Sequence, residues 1–461
     1  MGEADKPQTL EQCHAVIEAL SAQIGQLQEQ MSVLQERLKL NSRNSSKPPS
    51  SDGPVQSGNR AARRTSGRQR GAQPGHKGHY RQLVEPEQVG QIHECRPPEV
   101  CECGGPIREG RPMRHQVVDV PARVLAEVRE YRLYHGVCEH CRKVHSSELP
   151  AGVPRGQIGP RALALVGWLG SRMHLTQGKI RDLLARVLGV DFSVGAISQA
   201  QGLVAQALQA PVAAAAQTLT QAGALHMDET SMPREGQRSS WAWAVVQPEL
   251  VVYTIMPSRA RYVAQALIGK EPAGWLVSDR YAVYDWVDVQ RRQVCWAHLL
   301  RDLRRISERA AEPGRLGRRL LGLGYLMFRW RERGRRTEAE FEPLQRRFRQ
   351  ALDAGAAQQL CGRTAATCTN LLALWPALWA FLRRPGIEPT NNAAEQALRT
   401  LVLKRKISGL TRSRRGEEFI ARGYSAVETC RRQGRDALDF LQQAMRAFFA
   451  GTTAPTLHPS G

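Results

Sequence analysis

The chain has 461 residues, 42% of them hydrophobic, and its 65 Lys and Arg against 43 Asp and Glu leave a formal net charge of +22. This length allows a sizeable core and about two to four domains. The charge favours a polyanionic partner such as nucleic acid over a ribosomal or membrane-surface role, because those proteins are usually shorter or carry an amphipathic anchor. The polar, acidic N-terminus and the lack of an apolar run of about 18–20 residues predict a soluble intracellular chain without signal peptide or membrane span.

Residues 8–40 predict a coiled coil, or leucine zipper. Apolar residues recur alternately every three and four positions for about four heptads, while Gln and Glu dominate the other faces. The seam consists of Leu10, Cys13, Ile17, Leu20, Ile24, Leu27, Met31, Leu34 and Leu38. We therefore expect a homo-oligomer held by this segment. The alternative is a single amphipathic helix packed on the protein's own core.

Residues 41–88 predict a basic flexible linker. The segment is polar, proline-bearing and arginine-rich, and this composition cannot bury enough surface to fold alone. Arg63 and Arg64 are candidate contacts to DNA phosphates. A solvated tether that touches no DNA is the alternative.

Residues 89–152 predict a DNA-binding module like a zinc ribbon. Two cysteine knuckles flank a segment, Val117–Tyr134, that alternates like a strand, and four thiolates make a closed tetrahedral Zn²⁺ site. The candidate ligands are Cys101, Cys103, Cys138 and Cys141. The first pair has one intervening residue where two are usual, so Cys95 or His140 could replace a ligand. Unliganded buried thiols are the alternative, although ten cysteines in an intracellular chain favour metal or free thiols over disulfides.

Residues 155–212 predict a helical module that resembles a helix-turn-helix. Apolar periodicity marks helices at 161–173, 177–188 and 194–208, with a glycine-bearing turn at 189–193. A structural helix bundle explains the pattern equally well.

Residues 220–298 and 386–412 predict an RNase H-like catalytic core. Three strands, a helix and two further strands follow in the order of that mixed sheet, at 222–230, 240–246, 251–256, 259–268, 275–278 and 293–296. Residues 299–385 predict a helical insertion, and residues 413–450 predict a C-terminal helical segment. The predicted fold class is therefore multidomain α/β: an RNase H-like mixed-sheet catalytic core with a large helical insertion, an N-terminal coiled coil, a zinc ribbon and a helix-turn-helix-like module.

Three carboxylates in this core are candidate ligands for two Mg²⁺ or Mn²⁺ ions. Asp228 and Asp279 each end an apolar run, and Glu395 lies near the start of a predicted helix. Hard oxygen ligands suit these cations, and a pair of metal ions can cut and join phosphodiesters. The plainer reading is that both Asp residues start turns and that Glu395 favours the helix dipole. His298 is a further catalytic candidate, or else a structural histidine.

A basic segment follows the predicted catalytic helix and is a candidate track for DNA phosphates. Its candidate contacts are Lys404, Arg405, Lys406, Arg412 and Arg414. A solvated surface is the alternative.

Taken together, these residues resemble the transposases of the bacterial insertion sequence 66 family, of the DDE type. The resemblance covers nearly the whole chain and departs from the family pattern at the Cys101–Cys103 spacing. It rests on the N-terminal zipper and on the segments 41–50, 101–141, 226–230, 278–281, 295–298 with Arg301, and 391–395.

The resemblance implies a catalytic triad of Asp228, Asp279 and Glu395. It also implies magnesium-dependent cleavage and strand transfer at terminal inverted repeats in the bacterial cytoplasm, in association with the nucleoid. The implied partners are double-stranded DNA, both element ends and target, a second copy of the chain, and small accessory proteins of the same element. Two rivals are a stand-alone nuclease of the same fold and a non-enzymatic DNA-binding repressor.

Overall fold

The computed structural model describes residues 9–45, 83–108, 110–111, 113–118, 126–236, 240–357 and 361–458. Its strands are β1 (His135–Val137), β2 (Val144–Ser146), β3 (Ala224–Ser231), β4 (Trp241–Val246), β5 (Val251–Met256), β6 (Trp275–Ser278) and β7 (Arg292–Val294). Its helices up to the sheet are α1 (Leu10–Leu38), α2 (Pro160–Ser171), α3 (Gln177–Leu188), α4 (Val194–Ala207) and α5 (Gln209–Thr220). Those that follow are α6 (Arg261–Ile268), α7 (Trp296–Ser307), α8 (Ala311–Glu332), α9 (Glu338–Ala356), α10 (Gly362–Ala373), α11 (Trp375–Leu378), α12 (Ala380–Arg383), α13 (Asn392–Ser408), α14 (Arg414–Arg432) and α15 (Ala437–Ala450).

A five-stranded mixed sheet with the order β5-β4-β3-β6-β7 forms the centre of the molecule. Strands β3, β4 and β5 form an antiparallel meander, whereas β6 and β7 run parallel to β3. A parallel strand requires a crossover, and α6 supplies it between β5 and β6. The predicted mixed α/β sheet is confirmed, with strand ends shifted by one or two residues.

Alternating side chains give the sheet two buried faces. Leu225, Met227 and Trp243 point into a large core built with α2 to α6, α14 and α15. Ala242, Ala244 and Tyr253 point to the opposite face, where α13 packs across β3 and β4. We call this second side the α13 face.

The outer strand β5 is covered by α14. The N–H groups of Val251 and Tyr253 donate to the hydroxyls of Thr429 and Ser425 at 3.1 and 2.8 Å. These side chains satisfy backbone donors that an open sheet edge would leave unpaired. The C-terminal helical segment therefore completes the core.

The helices predicted at 161–208 are present as α2, α3 and α4. Thr176 and Ser193 cap the starts of α3 and α4 with side-chain oxygens, and Gly189 ends α3 with a φ of 64°. A left-handed residue at this position favours glycine, which has no Cβ to clash. Whether this module reads DNA stays a prediction.

The insertion at 299–385 is helical as predicted, comprising α8 to α12 and most of α7. Its core is aromatic: Trp296 and Trp379 pack edge to face with ring centres 5.1 Å apart, and Phe348 contacts both. Val277 and Val294 of the sheet belong to the same cluster. The insertion is thus continuous with the edge of the sheet.

Helix α1 does not bury its predicted seam against the described part of the chain. Leu20, Ile24 and Leu27 are between 51% and 59% exposed. Its C-terminal end is nevertheless fixed to the insertion, because Glu36 pairs with Arg309 at 2.9 Å and with Arg363 at 2.7 Å.

The first residues of the predicted linker form a turn on the insertion. Asn44 is buried and donates to the Glu308 carboxylate at 2.6 Å. The rest of the linker to residue 82 lies outside the described residues, and so do Arg63 and Arg64. None of the described helices has the length and apolar character needed to span a bilayer.

The cysteine module has two strands, but not at the predicted place. β1 and β2 pair at 135–137 and 144–146, whereas the described residues 117–118 and 126–134 contain no strand. Val117 and Val128 are more than 80% exposed. Alternation predicts a strand only where one face is covered, and nothing described covers this segment.

Candidate active site

The register of the sheet brings Asp228 and Asp279 opposite each other. His226 of β3 pairs with Val277 of the parallel strand β6, and each Asp lies two residues further along. Neighbouring strands are about 4.8 Å apart and side chains alternate between faces. The two carboxylates therefore belong to the same side of the sheet, the α13 face.

Asn391 fixes the start of the helix that carries the third carboxylate. Its backbone N–H donates to Cys295 Sγ at 3.1 Å, and its side-chain Nδ2 donates to the Met227 carbonyl at 2.8 Å. Its Oδ1 lies 3.1 Å from His226 Nδ1. The side chain is fully buried. Since Glu395 is one helical turn further on, these contacts set its position relative to β3.

Glu395 faces α7 as well as the sheet. Its Oε1 lies 3.3 Å from His298 Nδ1, and its Oε2 lies 3.7 Å from the Arg301 guanidinium. Within the described residues, only Cys295, His298 and Glu395 bring three possible metal-ligand atoms within 4.8 Å of one another. The three predicted carboxylates form a wider cluster than this.

Asp228 lies close enough to the other two carboxylates for their charges to act on it. Burial raises the pKa of Asp228 well above its ordinary value, and the charges of Glu229, Asp279 and Glu395 add to the effect. The buried atoms His298 Nδ1 and Glu395 Oε1 have no hydrogen-bond partner. Mutual repulsion and unsatisfied ligand atoms are what a divalent cation would relieve. The donor set thus fits Mg²⁺ or Mn²⁺.

A trio of side chains beneath Asp228 was not recognised in the sequence. Glu229 points to the side of the sheet opposite the α13 face. On that side the Tyr284 hydroxyl donates to its carboxylate at 2.6 Å, and the Arg259 guanidinium donates at 2.9 Å. Burial raises the pKa of Glu229, while these partners oppose the shift. The sequence did contain a signal for this trio, the adjacent acidic residues Asp228 and Glu229 inside an apolar strand. Successive side chains of a strand face opposite sides, so one of the two had to point away from the proposed metal site.

The cysteines form two knuckle turns of similar construction. The backbone carbonyl of Cys101 accepts from the Gly104 N–H at 2.8 Å, and that of Cys138 accepts from the Arg142 N–H at 2.8 Å. The backbone N–H of Gly105 has the largest effect in lowering the pKa of the Cys103 thiol. The backbone N–H of Cys141 has the same role for the Cys138 thiol, whose pKa is also lowered. Each knuckle pairs its own two thiols, but the four thiols do not form one cluster among the described residues.

The predicted basic track is partly engaged in the protein itself. Arg405 bonds the Ser231 hydroxyl at 2.7 Å, and Arg412 pairs with Glu235 at 2.8 Å. Arg414 lies 3.4 Å from Glu418 and Lys406 is exposed. Lys404 is partly buried and donates to the Gly409 carbonyl at 3.1 Å. Contacts of this segment with DNA stay a prediction.

Two comparisons with known proteins bear on this site. The model of the Transposase IS66 family matches residues 155–418, which include β3 to β7, the insertion and α13. A second model, a family of unknown function named DUF6444, matches residues 3–82. The chain is also 23% identical over 381 residues to the "Uncharacterized protein y4hP" of Sinorhizobium fredii, which covers 73% of this chain and 68% of that protein. The first model spans more than half of the chain and all three carboxylates, and the protein therefore belongs to the IS66 family of transposases.

Proposed function

We propose that the protein is a DNA transposase that binds the terminal inverted repeats of its own element and catalyses metal-dependent strand cleavage and strand transfer. The supporting observation is the convergence of Asp228, Asp279 and Glu395, from three separate elements, on the α13 face. Membership of a transposase family supports the same assignment.

The proposed roles follow from the positions of the side chains. Asp228, Asp279 and Glu395 would hold two divalent cations, which activate the attacking oxygen and stabilise the leaving oxygen when bound. Asn391 keeps Glu395 in register with β3. Arg301, 3.7 Å from Glu395, adds positive charge beside the carboxylates, where a scissile phosphate would approach. His298, whose Nδ1 lies 3.3 Å from Glu395 Oε1, would be a second polar group beside that phosphate.

The test is an assay of purified protein with Mg²⁺ and duplex DNA that carries an element end. A transposase releases a 3′-hydroxyl end and then joins it to a target duplex. Products that are cut but never joined favour the stand-alone nuclease. Binding to the end without any cut strand at all favours the repressor and removes the enzymatic proposal.

We also propose that α1 pairs with α1 of a second copy in a coiled coil. The seam of apolar residues is exposed along the helix, and such a repeat is stable only when another helix covers it. Replacing Ile24 by Asp puts a charge in the middle of the seam. We expect the oligomer to dissociate to single chains, which light scattering coupled to gel filtration measures. The matched control is Gln26→Asp, which adds the same charge off the seam; loss of the oligomer in both variants contradicts this pairing.

A structural Zn²⁺ held by Cys101, Cys103, Cys138 and Cys141 is a further part of the proposal. Backbone N–H groups in the two knuckles lower the pKa of the Cys103 and Cys138 thiols, which favours the thiolate form that zinc binds. We expect about one zinc per chain by elemental analysis, and close to none in Cys138→Ser. The control is Cys95→Ser, which should keep its zinc. A zinc-free wild-type protein purified without chelator would remove this part of the proposal.

A further inference from the structure

A cavity of about 600 Å³ lies between the helical module and the end of the catalytic core. Helices α2, α3 and α4 form one wall, and the other is formed by α13, α14 and the loop that joins them at residues 409–413. This cavity is separate from the three carboxylates, none of which lines it. Its polar lining includes Lys404, Thr411, Arg412 and Arg415.

Lys404 brings a desolvated positive charge to the cavity. Burial lowers the pKa of its ammonium to about 8. Within the described residues its ammonium donates to the neutral carbonyl of Gly409 at 3.1 Å, and no carboxylate there forms an ion pair with it. An ammonium partly removed from water without an anionic partner is costly, and an anion in the cavity would offset that cost.

Thr411 provides an independent sign of a binding site. It is 6% exposed, lines the cavity, and its hydroxyl has no hydrogen-bond partner. Its backbone carbonyl accepts from the Glu235 N–H at 2.8 Å, which fixes the loop in place. A buried hydroxyl without a partner is rare in folded proteins, because it has lost its water without a replacement.

The start of α14 and an arginine complete the positive lining. Ser413 caps this 19-residue helix and lines the cavity together with Gly416, so the positive end of the helix dipole borders the cavity. The Arg415 guanidinium is held by the Ser198 hydroxyl at 2.9 Å. A Cβ on Gly202 would lie 2.7 Å from Arg415 Cδ, so glycine at 202 lets this side chain pass along α4.

We propose that this cavity binds a phosphodiester group of the DNA backbone through Lys404, Thr411 and Arg415. The inference rests on the proposed function, and it adds a specific anchoring site away from the reacting strand. A single anion in this cavity would accept hydrogen bonds from a hydroxyl, an ammonium and a guanidinium at the positive end of a helix. Glu235 is the one acid in the lining, and Arg412 neutralises it.

Two variants and two probes test the site. Thr411→Val keeps the shape of the side chain and removes only the hydroxyl, and Lys404→Gln removes the charge. Inorganic phosphate is titrated by calorimetry, and an element-end duplex is titrated by fluorescence anisotropy at several salt concentrations. We expect either change to weaken phosphate and DNA binding about tenfold. We also expect Lys404→Gln to lower the salt slope for DNA by about one.

The control is Lys270→Gln, an exposed lysine outside the cavity lining, which should leave phosphate binding unchanged. If the two variants weaken phosphate binding but not DNA binding, the cavity takes a free phosphoryl group and the DNA assignment is overturned. If neither probe is affected, the site is overturned altogether.

These outcomes are independent of the proposed reaction. The phosphate titration tests the cavity without any joining reaction, because the cavity does not include the three carboxylates. Failure of the cavity therefore leaves the transposase proposal intact. Failure of the transposase proposal would show in the joining assay with wild-type protein.

Discussion

Asp228→Asn is expected to abolish strand cleavage and joining, with a loss of roughly 10³-fold or more, while binding to element-end DNA persists. A bound metal stabilises charge in the transition state by several kcal/mol, and each 1.36 kcal/mol lost slows a reaction tenfold. Asparagine preserves the shape of the side chain but removes the negative charge that would hold the cation. Quantitative gels of cut and joined strands measure the rate.

Stability should move in the opposite direction from activity. Asp228 is repelled by Glu229 and Asp279, so a neutral amide at this position relieves the repulsion. In the presence of a metal chelator at neutral pH, the variant should therefore melt at the same temperature as the wild type or higher. A variant that melts much lower would show that its inactivity comes from misfolding, and the metal-site reading would lose this support.

The matched control is Asp353→Asn, which makes the same change on the exposed surface of α9 in the insertion. It should cut and join like the wild type. Asp279→Asn and Glu395→Gln should each lose about as much activity as Asp228→Asn, and the double variants should lose little more, because residues that act as a unit are not additive. Full joining activity in Asp228→Asn would remove the assignment of the carboxylates.

The sheet was predictable because its strands carry strong local patterns. Asp228 and Asp279 each follow an apolar run, and a parallel crossover through one helix leaves little choice of topology. Their shared face then follows from alternation. The partners of Glu395 were harder to predict from the sequence. His298 and Arg301 lie 3.3 and 3.7 Å from it because of how α7 packs, and no local sequence pattern specifies that packing.

The cysteine module shows the limit of the same reasoning. Val117–Tyr134 alternates like a strand, yet its described residues form none, and the pairing is found at β1 and β2. Propensity for β-structure depends on a neighbouring strand and a covered face. The turn at Asn44 was missed for a related reason. A polar, proline-bearing segment has the composition of a linker, and only a long-range bond to Glu308 buries its first residues.

Trp296→Ala is expected to destabilise the protein by about 3–5 kcal/mol and to slow joining as well. The side chain is fully buried and packs edge to face against Phe348 and Trp379, with its Nε1 donating to the Leu378 carbonyl at 2.7 Å. Its backbone N–H donates to Pro389 at 2.9 Å, just before α13. Thermal unfolding followed by circular dichroism should show a fall of roughly 5 °C.

The effect on joining follows from the position of Trp296 at the first residue of α7. His298 and Arg301 lie within the next turn and a half, so the aromatic cluster of the insertion determines where they meet Glu395. Trp330→Ala is the control, because Trp330 belongs to the same cluster but contacts Phe341 and Arg335 at its far side. It should lose less stability and keep its joining rate at a temperature where it is folded. If Trp296→Ala also keeps its rate under those conditions, the insertion stabilises the fold without positioning the site.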